Sequence, residues 1–88
     1  MRRLEFHRDA YKFLRDLDAK QFKQVTNKVF LLAINPQQPD SKKLENSDHL
    51  RADIGEFRII YRFDDENVYV DAIGKRGDDD IYKKFERR

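Results

Sequence analysis

Between residues 50 and 73 the chain alternates apolar and polar side chains through three successive runs, and no other pattern in it constrains the fold as tightly. Leu50, Ala52 and Ile54 alternate with Arg51 and Asp53. Phe57, Ile59, Tyr61 and Phe63 alternate with Arg58, Ile60 and Arg62, and Val68, Val70 and Ala72 with Tyr69, Asp71 and Ile73. A period of two is that of a β-strand with one face buried. Gly55-Glu56 supplies a two-residue hairpin turn with glycine first, as a type II′ turn favours, and Asp64 to Asn67 turns the chain again. These runs predict a three-stranded antiparallel meander with one face for the core.

Register follows by counting from the turns. Ile54 pairs with Phe57, Asp53 with Arg58 and Arg51 with Ile60. Across the second turn Phe63 pairs with Val68, Arg62 with Tyr69, Ile60 with Asp71 and Arg58 with Ile73. The core face is then Leu50, Ala52, Ile54, Phe57, Ile59, Tyr61, Phe63, Val68, Val70 and Ala72, and a slip of one residue would exchange the faces, which the hydrophobic pattern forbids. The second face carries Arg51, Asp53, Arg58, Ile60, Arg62, Tyr69, Asp71 and Ile73. Directly opposed residues have Cβ atoms about 4.5–5.5 Å apart, so Asp53 and Arg58 can touch. Lys75 and Arg76, leaving the last strand, are expected on Arg58's side of the sheet.

The N-terminal half reads as helical. Leu4 to His7 alternate as a short first strand, and from Arg8 the period changes, with Ala10, Tyr11, Phe13, Leu14 and Leu17 at helical spacing. Asp18 is an N-cap, with Gln21 three residues on completing a capping-box pattern. A second helix places Phe22, Val25, Val29, Leu32 and Ala33 on one face, and Pro36 ends it. So short a connection predicts an antiparallel helical hairpin. Asn35 to Asp48 reads as a loop with a brief extended piece around Lys43-Leu44. After Gly74 come Lys75-Arg76-Gly77, then Asp78-Asp79-Asp80 opening a short helix with Ile81, Tyr82 and Phe85; acidic residues at its start and basic ones at its end suit the helix dipole.

The 88 residues leave room for one domain, 1-88, with no second core. Charged residues make up 41% of the chain and mean hydropathy is −0.97, values that lean toward disorder. Seven Phe, four Tyr and well-spaced aliphatic residues are nonetheless enough to seal one thin core. The fold class expected is α+β: an N-terminal helical hairpin packed on a twisted antiparallel sheet, to which the first strand adds, with a short C-terminal helix. Without cysteine, disulfides and zinc–thiolate sites are excluded. The longest apolar run, Val29 to Ile34, is too short to span a bilayer, and the N-terminus enters alternating residues rather than a signal peptide, so a cytoplasmic protein without a membrane partner is expected. A net charge of +2 does not by itself indicate nucleic-acid binding; the placement of the cations, at the chain ends and on the sheet, says more.

Fixed cations beside one carboxylate suit a phosphodiester among other anions, and cutting RNA at such a place without a metal would require a base for the 2′-hydroxyl proton, cations for the charge on phosphorus and an acid for the leaving oxygen. Arg58 suits the phosphate, because its planar fork holds two oxygens and stays charged. Arg76 or Lys75 can do the same, and Tyr82 can stack on a base or relay a proton.

Gly55-Glu56-Phe57-Arg58-Ile59-Ile60-Tyr61, followed by Gly74-Lys75-Arg76 and then Tyr82, resembles the RelE/ParE toxin superfamily. The helical hairpin ahead of the meander agrees, so the likeness spans nearly the whole chain. The Gly-x-x-Arg-x-x-Tyr hairpin is shared across the superfamily, and the Gly-Lys-Arg…Tyr ending is more particular to the RelE branch. The resemblance implies a toxin of a type II toxin–antitoxin system: a ribosome-dependent mRNA endoribonuclease that uses 2′-OH attack, leaves a 2′,3′-cyclic phosphate, and needs neither metal nor cofactor. Its partners would be a cognate RelB-like antitoxin, the ribosome and mRNA. By position, Arg58 and Arg76 match the family's two arginines and Tyr82 its C-terminal tyrosine. Two family lysines tied to activity fall at Arg51 and Asp53. Arginine, with a pKa above about 12, is no base at neutral pH. Either Asp53 takes the proton or the base lies elsewhere, with Glu45, Lys42 and Lys43 in reserve. Lys42, Lys43, Lys75 and Arg62 are the further cations for RNA binding. The resemblance also admits a ParE-like DNA gyrase inhibitor without nuclease chemistry, and a catalytically inactive toxin fold acting in an antitoxin complex.

Plainer readings stand beside these. Asp53 opposite Arg58 is also what a cross-strand surface ion pair looks like, worth about 0–1 kcal/mol. Arg62 and Arg51 also serve to keep an exposed sheet face soluble, and Tyr69 to pack beside Arg62. Asp78 to Asp80 suit capping better than magnesium, since successive helical residues diverge by about 100°. His7 and His49 have no spacing for a metal or a triad; a general-acid role is open to either.

Overall fold

The computed structural model describes residues 1–45, 47–77 and 81–82. In chain order it has β1 (Arg3–Phe6), α1 (Arg8–Arg15), α2 (Ala19–Ile34), β2 (Lys42–Lys43), β3 (Leu50–Ile54), β4 (Phe57–Phe63) and β5 (Asn67–Lys75). The strands form one five-stranded sheet in the order β1-β5-β4-β3-β2. All pairs are antiparallel except β1 with β5, which is parallel, so the sheet is mixed where a wholly antiparallel one was expected. The two helices lie between β1 and the rest of the sheet in sequence, which gives the chain the crossover a parallel pair needs.

Local chemistry sets the ends of the helices. Asp18 caps α2 by accepting from the Gln21 amide at 2.8 Å. The Gln21 side chain does not close the capping box; it donates to Glu56 in the hairpin turn instead. Beyond Ile34, the loop ahead of β2 is tied to the core twice. The hydroxyl of the buried Tyr61 donates to the Pro36 carbonyl and bonds Ser41 Oγ at 2.7 Å. Burial pushes the Tyr61 phenol above its usual range. Lys28, buried in α2, meets Asp40 at 2.9 Å.

Helices and sheet enclose one core containing Ala10, Leu14, Val25, Val29, Leu32, Phe57, Ile59, Tyr61, Val68 and Val70. Phe13 packs edge-on to Phe57, ring centroids 6.0 Å apart. Tyr11 and Phe22, expected on buried helix faces, are 54% and 43% exposed. They border an open apolar groove, together with Leu4, Phe6, Val29 and Phe30, because the two-turn α1 is too short to cover α2 there.

The expected pairing holds through β3 and β4, from Ile54↔Phe57 to Arg51↔Ile60. Between β4 and β5 it holds for Phe63↔Val68 and Arg62↔Tyr69 and then breaks. A register shift after Tyr61↔Val70 pairs Ile60 with Ala72, Ile59 with Ile73 and Arg58 with Gly74. Asp71 is the extra residue of a β-bulge, which turns every later side chain of β5 to the opposite face. Ala72, expected in the main core, lies on the second face, and Ile73, expected there, joins the main core. Of the expected C-terminal helix only Ile81 and Tyr82 are described, both with helical backbone; Asp78 to Asp80 and Phe85 lie outside the described residues. Ile81 is buried against Ile60 and Ala72, with Leu44 and Tyr82 beside them. No helix among the described residues is long and apolar enough to cross a membrane.

Candidate functional site

The Gly55-Glu56 turn and the alternation beyond it place Asp53 directly opposite Arg58 on the second face. Gly55 has φ +56°, a backbone conformation that other residues adopt with strain. Arg58 closes on Asp53 in a two-pronged contact, Nε to Oδ1 at 2.8 Å and Nη2 to Oδ2 at 3.2 Å. Its remaining nitrogen, Nη1, donates to the Tyr82 hydroxyl at 2.8 Å. Arg76 approaches the same carboxylate, Nε to Oδ2 at 3.4 Å. The hairpin turn fixes Arg76: its amide donates to the Glu56 carbonyl at 2.8 Å, and Nη1 reaches the Gly55 carbonyl at 3.3 Å.

Tyr82 arrives because Gly74 lets the chain after β5 fold back. A Cβ at Gly74 would stand 2.9 Å from the Cβ of Ile81, which real side chains do not tolerate. The bulge at Asp71 is what puts Gly74 opposite Arg58.

Two guanidinium groups thus converge on one anionic position. The Arg58 hydrogen bond holds the Asp53 carboxyl below the usual carboxylate range, with Arg76 and Arg51 adding to it against the opposing effect of burial. The same bond raises Arg58 further above its already high value. A carboxylate so stabilised is a weak base.

The other expected residues divide. Arg51 is one of the charges acting on Asp53, and Lys42 pairs with Arg51 from the edge strand. Lys43 pairs with Leu50, in the register opposite to that of Lys42, and borders a shallow depression with Gln37, Asp48 and Arg62. Lys75, expected beside Arg58, pairs with the core residue Phe57 and borders a depression with Asp9, Lys12 and Asp16 on the α1 side; the bulge reversed its face. Arg62 belongs to the other end of the second face. It stacks 4.0 Å above the Tyr69 ring and stands 3.6 Å from Asp71. Asp71 also bonds His49 Nε2 at 2.6 Å, and Ser47 Oγ meets His49 Nδ1 at 3.0 Å. This His49–Asp71 pair was not foreseen, although His49 precedes Arg51 and Asp53 at even spacing, which puts it on their face. Among the described residues no group of His, Asp and Glu is arranged to hold a metal ion.

The architecture is that of RelE toxins. A double arginine-to-alanine mutant of the E. coli toxin RelE, in the free state, superposes with a TM-score of 0.82 at 22% identity over 99% of this chain and 96% of that one. The intact E. coli RelBE toxin–antitoxin complex contains a chain matching with a TM-score of 0.76 and 23% identity, covering 89% of this chain and all, 100%, of that one. The archaeal RelE–RelB complex from Pyrococcus horikoshii OT3 matches with a TM-score of 0.71 and 25% identity, covering 86% and 96% of the two chains. No curated protein sequence matches the chain. The profile of the ParE toxin of type II toxin–antitoxin systems, parDE, matches residues 4–80. The chain belongs to that family, within the RelE/ParE superfamily, and is the toxin of a type II toxin–antitoxin system.

Proposed function

We propose that this toxin is an endoribonuclease that cuts mRNA on the ribosome using protein side chains alone. The observation that carries the reading is the convergence of Arg58 and Arg76 on a single anionic position, with the Tyr82 hydroxyl on the same guanidinium. Paired guanidinium groups in that arrangement match a phosphodiester whose charge grows as the 2′-oxygen attacks phosphorus. The bond formed is 2′-O to phosphorus and the bond broken is phosphorus to the 5′-oxygen; the 2′-hydroxyl proton passes to solvent water, from which Tyr82 recovers the proton it gives, and the products are a 2′,3′-cyclic phosphate and a 5′-hydroxyl. Because Arg58 donates to the Tyr82 oxygen, the phenol's own proton is free to go to the leaving oxygen. Asp53, weakened as a base, serves as the counter-anion. Arg51 and Lys42 extend the cationic surface along the strand.

An antitoxin is the expected partner. The RelB complexes of similar folds support this, and so does the open apolar groove around Tyr11, Phe22 and Phe30, since large exposed apolar patches mark interaction surfaces. A cytoplasmic location goes with a ribosomal target.

Primer extension on messages translated with the wild-type protein, Arg58→Ala and Arg76→Ala tests the reading. Cleaved message with wild type and none with either variant is expected. Intact message alongside arrested DNA supercoiling would instead identify a gyrase inhibitor of the ParE kind.

A further inference from the structure

Asp53 makes contacts that a phosphate would make. Its carboxylate takes the two-pronged grip of Arg58, and Arg76 approaches the Oδ2 oxygen that Arg58 also holds. The Arg58 side chain is only 14% exposed, so an unpaired guanidinium there would be costly, and some anion has to sit against it at all times. Arg76 is 53% exposed and offers the solvent-facing route by which another anion can reach the pair.

We propose that Asp53 occupies the place of the substrate phosphate, and that RNA enters by exchanging its own phosphodiester for this internal carboxylate. The proposal rests on the ribonuclease reading and adds what decides its substrates. A tethered carboxylate competes at an effective concentration on the order of millimolar or more. Inorganic phosphate and mononucleotides, which bring one anion and few other contacts, lose that competition. A strand wins it, because its neighbouring nucleotides add contacts to Arg51 and Tyr82 that a single phosphate lacks. Asp53 is therefore a specificity determinant that reserves the arginine pair for polymeric RNA.

Two groups of similar chemistry on this face stand too far away to share the phosphate. His49 is separated from Asp53 by four residues of extended chain, about 13 Å at about 3.3 Å per residue, with the Ile60, Ala72 and Ile81 cluster between the two ends. It does not act on a phosphate held at Arg58. Arg62 is as far from Arg58 along β4 and is engaged with Tyr69.

The test is anion binding by the wild type and Asp53→Asn, which keeps the shape and removes the charge. Inorganic phosphate is titrated at neutral pH, followed through the Arg58 and Arg76 Nε–H resonances, and a single-stranded RNA hexamer with 2′-deoxy sugars at every position is titrated in parallel. The variant should bind both at least tenfold more tightly, with a salt slope for the hexamer steeper by about 0.7. Equal or weaker binding by a folded variant overturns the proposal and leaves Asp53 as a positioning residue for Arg58. Should the variant not fold, saturating hexamer on the wild type must move the Asp53 carboxylate carbon resonance; an unmoved resonance overturns the proposal equally. Tighter phosphate binding by the variant with no message cleavage by the wild type keeps the exchange and removes the ribonuclease reading. Cleavage by the wild type with no gain in the variant does the reverse.

Discussion

The two ends of the second face hold similar residues and reach opposite balances. At one end Arg58 and Arg76 share the single carboxylate of Asp53. At the other, Arg62 and His49 share Asp71, and Asp64 stands close by, accepting from Tyr69 at 3.0 Å. Among the described residues the first end has more permanent positive charge than carboxylate to neutralise it, and the second has an arginine facing two carboxylates. The first also recruits Tyr82 onto its arginine, whereas in the second the tyrosine lies flat beneath Arg62. Surplus cation and convergent donors are what the proposed anion site requires, and among the described residues the second end lacks that surplus. The difference lies in how the charges are paired, since the residue types are nearly the same.

Mutation should separate the ends sharply. Arg58→Ala removes the convergent donor and should lower message cleavage by about 10²–10³-fold, the usual effect of losing one positioned electrostatic stabiliser; retention of more than a tenth of the activity would erase the distinction. Next in size is the stability of the Asp53 pair. Asp53→Asn should cost about 2 kcal/mol at neutral pH, as for a charge-assisted hydrogen bond. The folded carboxyl titrates below its ordinary 3.8, so its ionised form favours the fold. That contribution is complete above the unfolded value and fades as pH falls through the lower folded one. Denaturation curves of wild type and variant should accordingly draw together below about pH 4, and a gap that persists there would contradict the pairing.

Gly74→Ala tests how the first end acquires its tyrosine. Forcing Ile81 away should loosen Tyr82 from Arg58 and reduce cleavage about tenfold, with the Tyr82 hydroxyl bond lost by NMR while the β3–β4 hairpin survives. The smallest effect belongs to the other end. His49→Gln, which gives up the 2.6 Å contact with Asp71, should cost about 1 kcal/mol of stability and change cleavage by less than about threefold, under 0.7 kcal/mol. A hundredfold loss would move the active centre to that end.

Much of this was legible in the residues. Asp18, the Gly55-Glu56 turn, Pro36 and the alternation from Leu50 to Phe63 each act over a few residues of chain, and each did in the fold what its local chemistry implies. The Asp53–Arg58 contact followed from counting through that turn. The bulge at Asp71 was not legible, because Ala72 and Ile73 are both apolar and the pattern permits either on the core side. The place of Lys75 went wrong with it. Helical spacing places Tyr11 and Phe22 on an apolar stripe but does not report whether anything covers it.

The sequence by itself determined the elements, the first hairpin's register and the facing of Arg58 on Asp53, since a two-residue turn and a period of two leave no freedom over so short a distance. Arg76 is expected on this side of the sheet from the sequence; only the tertiary structure decided that it meets the Asp53 carboxylate and that Tyr82 joins it. That depended on the extra residue in β5 and the packing of Ile81 on Gly74, Ile60 and Ala72. Such contacts form between segments distant in sequence, where local periodicity carries no information about which face meets which.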